Sequence, residues 1–294
     1  VKGEGVDMEL RSPRQPVSIA HLLTHMSGLT YGESLSSSDH PVDKLYGPLT
    51  DGQTSLTGFV DKLSTIPLRF DPGTNWCYSL ATDVCGALVE IISGQPFSEF
   101  LGERLFEPLD MSDTSFTISD EKVPRLAANY ERDQDKNLVL IDDPVESIYA
   151  DTRRLQSGGG GLLSTTADYA KFCEMLLGGG KYNGCRIIGD RTLKMMCQNH
   201  LPMNADLASV AMGSFSETAY EGVGFGLGFA STLSEVKAHM LGEGDFYWGG
   251  MASTIFWVDP RERMFCVFMT QMVPSGTFNF RGQLKSIVYS AIED

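Results

Sequence analysis

The stretch from Asp71 to Gly94 constrains the fold most, because it joins a turn, an aromatic segment and a helix without a break. A Pro-Gly pair opens it, and apolar side chains then recur at helical spacing, at Ala81, Val84, Cys85, Leu88 and Ile92. Gly94 is the residue type expected just past the end of such a helix. Tyr78 therefore lies where the chain enters the helix, at a junction that packing can hold rigid.

Two roles are open to Tyr78. A phenol at this junction could face a cleft and act as a general acid or base, although its reference pKa of about 10 requires a cation beside it for the second role. The other role is that of an ordinary core aromatic residue. The motifs around Tyr78 favour the first.

Several motifs follow one another in a fixed order. They are His21-Leu-Leu-Thr-His25-Met-Ser-Gly28, Pro72-Gly73-Thr74, Trp76-Cys-Tyr78-Ser79-Leu80, Ser93-Gly94-Gln95-Pro96-Phe97 and Phe106-Glu-Pro-Leu-Asp-Met111. In this order they resemble the serine β-lactamase and penicillin-binding-protein superfamily. Within it, the chain is most similar to the class C-like branch that includes the family VIII carboxylesterases. The resemblance runs from about His21 to the C-terminal helix.

The predicted fold is α/β of the α+β type, β-lactamase/penicillin-binding-protein-like. Helical patterns dominate residues 1–215, which carry the Tyr78 motif, while residues 216–294 read as an antiparallel sheet and a closing helix. The segments 253–258 and 264–270 form the expected hairpin. The last helix is expected to bury a face consisting of Leu284, Ile287, Val288 and Ala291.

Two further patterns predict helix ends and a loop. Thr165 and Asp168 form a capping-box pattern that opens a helix closing at Gly178, and Asp190 is expected to cap the next helix. The glycine run 158–161 lacks the G-K-[ST] ending of a phosphate loop. It instead resembles the superfamily's glycine loop, which passes beneath the active site.

His21 and His25 are four residues apart, as in a zinc-binding helix, within a helix expected to run from Ser18 to Gly28. The H-E-x-x-H motif, however, needs a glutamate where Leu22 stands. We interpret both histidines as structural residues beneath the active-site loop. No metal or organic cofactor is predicted.

The resemblance assigns substrate-binding roles to Trp248, Gly249 and Gly250, which occupy the place of the Lys-Thr-Gly triad of β-lactamases. The amide of Met251 is the implied oxyanion donor, and the alternative is a plain bulge at a strand edge. Trp248 and Leu80 stand where β-lactamases carry residues that engage a carboxylate and an amide. Their apolar character predicts an uncharged carboxylic ester as substrate, with weak or no β-lactamase activity.

The superfamily's nucleophile is the serine of an S-x-x-K motif upstream of the His21 segment. The string occurs here at Ser119–Lys122 and Ser234–Lys237, in the wrong order and in polar segments. No nucleophile is therefore assigned. We expect the serine and its lysine in an N-terminal part of the fold that is absent from this chain, and the chain alone is predicted to be inactive.

Composition excludes some partners. The net charge of −15 argues against nucleic acid and anionic membranes, and the apolar runs are too short to span a bilayer. Six cysteines without disulfide-like spacing favour a reducing compartment, the cytoplasm.

The predicted function is that of a serine hydrolase that cleaves carboxylic esters through an acyl-enzyme. A non-catalytic binding or scaffold protein and an acyltransferase of the same fold are the alternatives. The expected partners are a small-molecule ester and, along an exposed sheet edge, either the absent N-terminal fragment or a second copy of the chain.

Overall fold

The structure is a computed structural model that describes residues 8–34, 39–47, 49, 55–212 and 220–293. Its α-helices are α1 (Ile19–Leu23), α2 (Pro41–Lys44), α3 (Leu56–Leu63), α4 (Ala81–Ser93), α5 (Phe97–Leu101), α6 (Thr166–Leu177), α7 (Asp190–Cys197), α8 (Leu207–Val210), α9 (Glu235–Ala238) and α10 (Phe280–Ser290). Its strands are β1 (Asn129–Arg132), β2 (Leu138–Asp142), β3 (Lys181–Tyr182), β4 (Cys185–Arg186), β5 (Val223–Phe225), β6 (Ala230–Thr232), β7 (Phe246–Gly249), β8 (Ile255–Asp259), β9 (Met264–Phe268) and β10 (Met272–Val273).

The largest sheet contains β5 to β9 in chain order, and every neighbouring pair in it is antiparallel. The predicted hairpin is confirmed: β8 and β9 pair from Ile255 with Phe268 to Asp259 with Met264. The Asp259 side chain closes the turn by accepting the backbone N–H groups of Arg261 and Glu262. The side chain thereby satisfies donors that the ladder leaves unpaired.

This sheet is the middle of three layers. Alternate residues of a strand point to opposite faces, so Phe256 and Val258 pack toward α6 while Trp257 packs toward α10. The predicted architecture, an antiparallel sheet flanked by helices beside a mostly helical region, is confirmed. Helix α6 precedes residue 215 in the chain and still packs on β8 and β9. The domain boundary at 215, which lies outside the described residues, stays a prediction.

A second sheet was not predicted. Strand β1 pairs antiparallel with β2 and parallel with β10, where Tyr130 lies opposite Met272. Strands β1 and β2 fall in the stretch 112–156, which shows no clear periodicity in the sequence.

The buried face of α10 differs from the predicted one. Ile287 is 65% exposed and Ala291 is also exposed, whereas Leu284 and Val288 pack on the sheet as expected. Lys285 takes the buried position, at 2% exposure, because its ammonium group pairs with the carboxylate of Asp245 beneath the helix. The helix is therefore rotated toward an ion pair that hydrophobic periodicity cannot anticipate.

The predicted helix ends are partly correct. Ser18 caps α1, but that helix ends at Leu23, before Gly28, and His25 adopts a left-handed backbone with φ of 54°. Gly94 is the left-handed residue that ends α4, as predicted, although Ile92 on that helix is 75% exposed.

The two helix-capping predictions have different outcomes. Thr165 caps α6 by accepting the N–H of Asp168, as predicted. The Asp168 carboxylate does not complete the capping box and instead accepts the N–H of Asp113. Asp190 is the first residue of α7, so the cap prediction for Asp190 was wrong, and Gly189 takes that position without a side-chain bond.

All six cysteines are free thiols. Within the described part of the chain, no helix combines the length and the apolar character needed to cross a bilayer.

Candidate active site

Tyr78 is fixed by its main chain on both sides. The preceding residues pair with two other segments: Trp76 N–H donates to the carbonyl of Val210 at 2.9 Å, and Cys77 N–H donates to that of His25 at 2.9 Å. Helix α4 begins three residues later, at Ala81. The chain is therefore anchored immediately before and after the phenol, which is half-buried.

The structure brings the two predicted motifs together. The ring of Tyr78 lies 5.1 Å from that of Trp248, between centroids, and the Trp248 indole N–H donates to the Tyr78 hydroxyl at 3.4 Å. The rings of His25 and Tyr31 lie on other sides of Tyr78, at 4.7 and 5.2 Å. The phenol oxygen therefore lies in an aromatic enclosure beside the C-terminal end of β7.

Tyr31 is a further residue of the candidate site, and the sequence analysis does not predict it. Its hydroxyl is hydrogen-bonded to Tyr78 and to Thr82, and burial, helped by Tyr78 and Asp83, raises the pKa of its phenol far above the usual value. Tyr31 therefore keeps its proton and can donate to Tyr78. Together with the Trp248 indole N–H, it supplies a second donor toward an oxygen that would become negative on ionisation. Hydrogen bonds of this kind favour the ionised form.

The predicted glycine loop runs against the start of α4. The buried carboxylate of Asp83 accepts the Ser157 hydroxyl and the N–H of Gly159 at 3.4 Å, and burial raises the pKa of this carboxyl. A Cβ on Gly158 would clash with the backbone carbonyl of Thr82, so only glycine allows this approach. The loop therefore lies directly against the helix that follows Tyr78.

The turn after β7 carries the predicted oxyanion donor. Gly250 N–H donates to Thr254 O at 2.9 Å, which closes the turn and leaves Met251 at its exposed tip, 62% accessible. Arg281 of α10 supports the turn by donating to the carbonyls of Gly250 and Thr254, at 3.0 and 3.1 Å. The turn is well anchored, and the role of the Met251 amide stays a prediction.

Leu80 is 8% exposed and belongs to the core cluster that includes Leu22, Leu29 and Ala81. It supports the segment that carries Tyr78, and its predicted contact with substrate stays a prediction.

Neither S-x-x-K string forms a nucleophile–lysine pair at Tyr78. The Ser234 hydroxyl caps α9 by accepting the N–H of Lys237 at 3.4 Å. The Lys122 ammonium pairs with Asp113 at 2.9 Å in another part of the helical region. The sequence argument against both strings is therefore supported by their contacts.

Cys77 lies next to Tyr78 but is a poor substitute nucleophile. Its side chain is buried, and burial raises the pKa of the thiol to about 11. The thiolate is the reactive form, so almost none of it exists near neutral pH.

His25 is hydrogen-bonded to Ser79, the residue that follows Tyr78. It is 2% exposed, and its Nδ1 accepts the backbone N–H of Ser79 at 3.3 Å and lies 3.2 Å from the Ser79 hydroxyl. An Nδ1 that accepts a backbone N–H carries no proton, so the ring is neutral with its hydrogen on Nε2. Burial lowers the pKa of His25 to about 3. A structural role for this residue agrees with these contacts.

We expect this histidine to make the fold acid-sensitive. Its pKa falls from the ordinary 6.5 to about 3 in the folded chain, so only the unfolded chain binds the proton between these values. The contribution of His25 to stability is therefore fully present above pH 6.5 and is lost at about 1.4 kcal/mol per pH unit as the pH falls toward 3. Urea unfolding from pH 7 to 4 measures this slope. In His25→Phe the slope should be shallower; an unchanged slope would contradict the assignment.

Among the described residues, no group of three or more His, Cys, Asp or Glu side chains is arranged to hold a metal ion. The polar groups around Tyr78 are hydroxyls, an indole N–H and backbone amides. These groups can move protons and stabilise an oxyanion.

Comparison with known proteins extends these observations. A family model described as Beta-lactamase matches residues 8–285. Protein Rv1367c of Mycobacterium tuberculosis (strain ATCC 25618 / H37Rv) is 32% identical over 265 residues, which cover 89% of this chain and 64% of that protein. The lovastatin esterase of Penicillium rubens is 28% identical, with 86% of this chain and 63% of the esterase covered. The chain thus spans slightly less than two thirds of these curated relatives.

A solved structure is also similar to this chain. EstCE1, described as a hydrolase with promiscuous acyltransferase activity, is 26% identical to this chain. The two superimpose with a TM-score of 0.76, covering 94% of this chain and 72% of EstCE1.

Proposed function

Because this chain belongs to the β-lactamase family and has the β-lactamase and penicillin-binding-protein fold, we propose that it acts in the hydrolysis of carboxylic esters through an acyl-enzyme. The observation that carries the proposal is the contact between the Tyr78 hydroxyl and the Trp248 indole N–H, beside the Gly249–Gly250 strand end. Tyr78 is the proton carrier in this proposal, and Trp248 forms one wall of the substrate site.

The proposed reaction has two similar halves. A serine hydroxyl attacks the ester carbonyl, its proton passes to the Tyr78 phenolate, and the carbonyl electron pair moves to an oxygen that the Met251 N–H stabilises. The tetrahedral intermediate then expels the alkoxide, which takes the proton from Tyr78. Water repeats the sequence on the acyl-enzyme and releases the acid. We propose that the serine, and the lysine that helps ionise Tyr78, come from residues outside this chain.

The apolar ring of Trp248 supports an uncharged ester over a β-lactam. Trp248 is half-buried, and the fully buried rings of Phe225 and Trp76 pack behind it, with the Phe225 and Trp248 centroids 5.3 Å apart. A substrate carboxylate would lose its hydration against this ring without a partner in return. The lovastatin esterase among the relatives supports this substrate class. The promiscuity stated for EstCE1 keeps acyl transfer to an alcohol as the second candidate.

We expect the 294-residue chain alone to hydrolyse p-nitrophenyl butyrate no faster than a heat-denatured sample, because neither of its two S-x-x-K strings opens an apolar helix. A fluorophosphonate probe followed by mass spectrometry should find no serine adduct on this chain. The full-length gene product should give a single adduct, at the serine of an S-x-x-K motif. Turnover by the chain alone, with a labelled serine inside it, would contradict the proposal.

The edge of the main sheet is the proposed site of a partner. Strand β9 ends the strand order among the described residues, and its five residues are only half-buried. An open strand edge with apolar side chains tends to pair with another chain. Alone in solution, the 32.2 kDa chain is therefore expected to dimerise through β9, and sedimentation equilibrium measures this. A monodisperse, stable monomer would be the opposite outcome.

A reducing compartment, the cytoplasm, remains our proposal for localisation. Burial raises the thiol pKa of Cys85 to about 11 and those of Cys173 and Cys197 to about 12, which keeps these thiols protonated and unreactive.

A further inference from the structure

Strand β2 lies at an open edge of the three-stranded sheet. The strand order is β10-β1-β2, so among the described residues only β1 pairs with β2. The first four residues of β2 are all apolar and between 37% and 62% exposed: Leu138, Val139, Leu140 and Ile141. Because side chains alternate between the two faces of a strand, neither face of β2 is fully covered. Native proteins normally protect an apolar edge strand of this kind.

The main-chain groups that β2 presents to its open edge follow from its neighbours. Tyr130 N–H donates to the carbonyl of Gln271 at 3.3 Å, so the main chain of Tyr130 faces β10. Leu140 lies opposite Tyr130 in the antiparallel pair of β1 and β2. Opposite residues in such a pair direct their main-chain groups either toward each other or both away. Leu140, and by alternation Leu138, therefore present an N–H and a C=O to the open edge.

The order of residues in β2 fits a second copy of the same strand. A two-fold axis perpendicular to the sheet makes two copies antiparallel and keeps each side chain on its own face. Because opposed side chains share a face, one residue must then lie opposite its own copy. With Val139 on the axis, Leu138 of each copy lies opposite Leu140 of the other. With Leu140 or Ile141 on the axis, a leucine would instead lie opposite Asp142.

The charges at the ends of β2 favour the same register. With Val139 on the axis, Lys136 of each copy lies opposite Asp142 of the other, at both ends of the pairing. With Leu138 on the axis, Lys136 would instead lie opposite Leu140. Opposite charges across a strand pair stabilise the pair. The pairing would also join two three-stranded sheets into one sheet of six strands, which is a usual size.

We propose that β2 is an interface through which two copies of this protein pair antiparallel, with Val139 on the two-fold axis. Main-chain hydrogen bonds join Leu138 of each copy to Leu140 of the other. The interface belongs to a different sheet from β9, the edge already proposed to pair with a partner. It is independent of ester hydrolysis, since none of the residues proposed to act on the ester lies in β2.

A disulfide specific to the axis tests the register. In Val139→Cys the two new thiols lie in a non-hydrogen-bonded pair with Cα atoms about 4.5 Å apart, a separation that a disulfide can span. Mild oxidation of this variant of the full-length gene product should give a covalent dimer, above the background that the six native free thiols set in the parent. Leu140→Cys is the matched control. Its two new thiols lie diagonally, with Cα atoms about 7–8 Å apart, so the yield of covalent dimer should stay at background.

Val139→Lys tests the association itself, since it places two ammonium groups opposite each other on the axis. The new side chain also lies beside Glu131 of its own β1, so the hairpin should be retained. Val236→Lys is the control, because it makes the same charge change at a valine of α9 that is 84% exposed.

Sedimentation equilibrium of the full-length gene product measures the association, at about 0.15 M salt, where charges more than about 8 Å apart are largely screened. In that protein the N-terminal part of the fold is proposed to pair with β9, which leaves β2 as the free edge. The parent and Val236→Lys should dimerise equally, and Val139→Lys about tenfold more weakly or worse. A monomeric parent, equal dimerisation of Val139→Lys, or equal disulfide yields in Val139→Cys and Leu140→Cys would overturn the proposal.

Discussion

Tyr78→Phe is expected to lower kcat by about 10²–10⁴-fold in the full-length gene product, because the variant cannot carry the proton in acylation or deacylation. KM should change much less, since proton transfer belongs to the transition state and not to substrate binding. The variant loses the hydroxyl group but keeps the ring and its contacts with the rings of His25 and Trp248, so the fold should be retained. Steady-state kinetics with p-nitrophenyl butyrate and a pH profile measure these effects.

Tyr169→Phe is the matched control for this prediction. Tyr169 is a half-buried tyrosine of α6 that packs on Phe256, with ring centroids 5.1 Å apart, and among the described ring contacts it has none with Tyr78. Its variant should keep the parent kcat. Near-normal kcat and an unchanged pH profile in Tyr78→Phe would make Tyr78 a packing residue and remove the basis of the proposed function.

Lys285→Met is expected to reduce the free energy of unfolding by about 3–5 kcal/mol, because it leaves the carboxylate of Asp245 buried without its cation. In this variant the fully buried Asp245 would keep, among the described residues, the Thr232 hydroxyl at 2.6 Å and the more distant Tyr289 hydroxyl. The double variant Asp245→Asn/Lys285→Met removes both charges and should recover a large part of this loss. Urea unfolding at pH 7 provides the measurement.

The pH dependence of Lys285→Met gives a further check. Burial raises the pKa of Asp245 while Lys285 lowers it, so loss of the lysine should raise the pKa further. A carboxyl with a raised folded-state pKa favours the folded chain at low pH and loses that advantage as the pH rises. The difference in unfolding free energy between Lys285→Met and the parent chain should therefore become smaller as the pH falls from 7 to 5.

Lys194→Met tests the same chemistry at the surface. Lys194 pairs with Asp190 at 2.9 Å, but these side chains are 73% and 51% exposed. Such a pair contributes only about 0.3–0.5 kcal/mol. Equal losses of unfolding free energy in Lys194→Met and Lys285→Met would show that the buried ion pair contributes no more to stability than the exposed one.

The sequence identifies candidate site residues where chemistry constrains the residue type. Tyr78 and Trp248 lie in short motifs that combine an aromatic side chain with a turn or a strand edge, and the structure places them in contact. Tyr31 and Asp83 were not predicted because no residue near them in the sequence indicates what their side chains contact. The bond from Gly159 to Asp83, for instance, spans a separation of 76 residues.

Helix faces were predicted less well for a physical reason. Hydrophobic periodicity assumes that apolar side chains decide which face is buried. In α10 the buried Lys285 ammonium decides it, and Ile287 is exposed instead. The parallel pairing of β1 with β10 could not be predicted either, because β10 has only two residues and shows no strand pattern of its own.

The bonds from Arg281 to the carbonyls of Gly250 and Thr254 have a consequence for proteolysis. A protease that trimmed the chain from its carboxyl end would remove α10 while leaving Tyr78, Trp248 and Met251 intact. The turn at Gly250 would nevertheless lose its support from outside the sheet. Removal of α10 from the full-length gene product should therefore abolish ester hydrolysis although every residue proposed to contact substrate is retained.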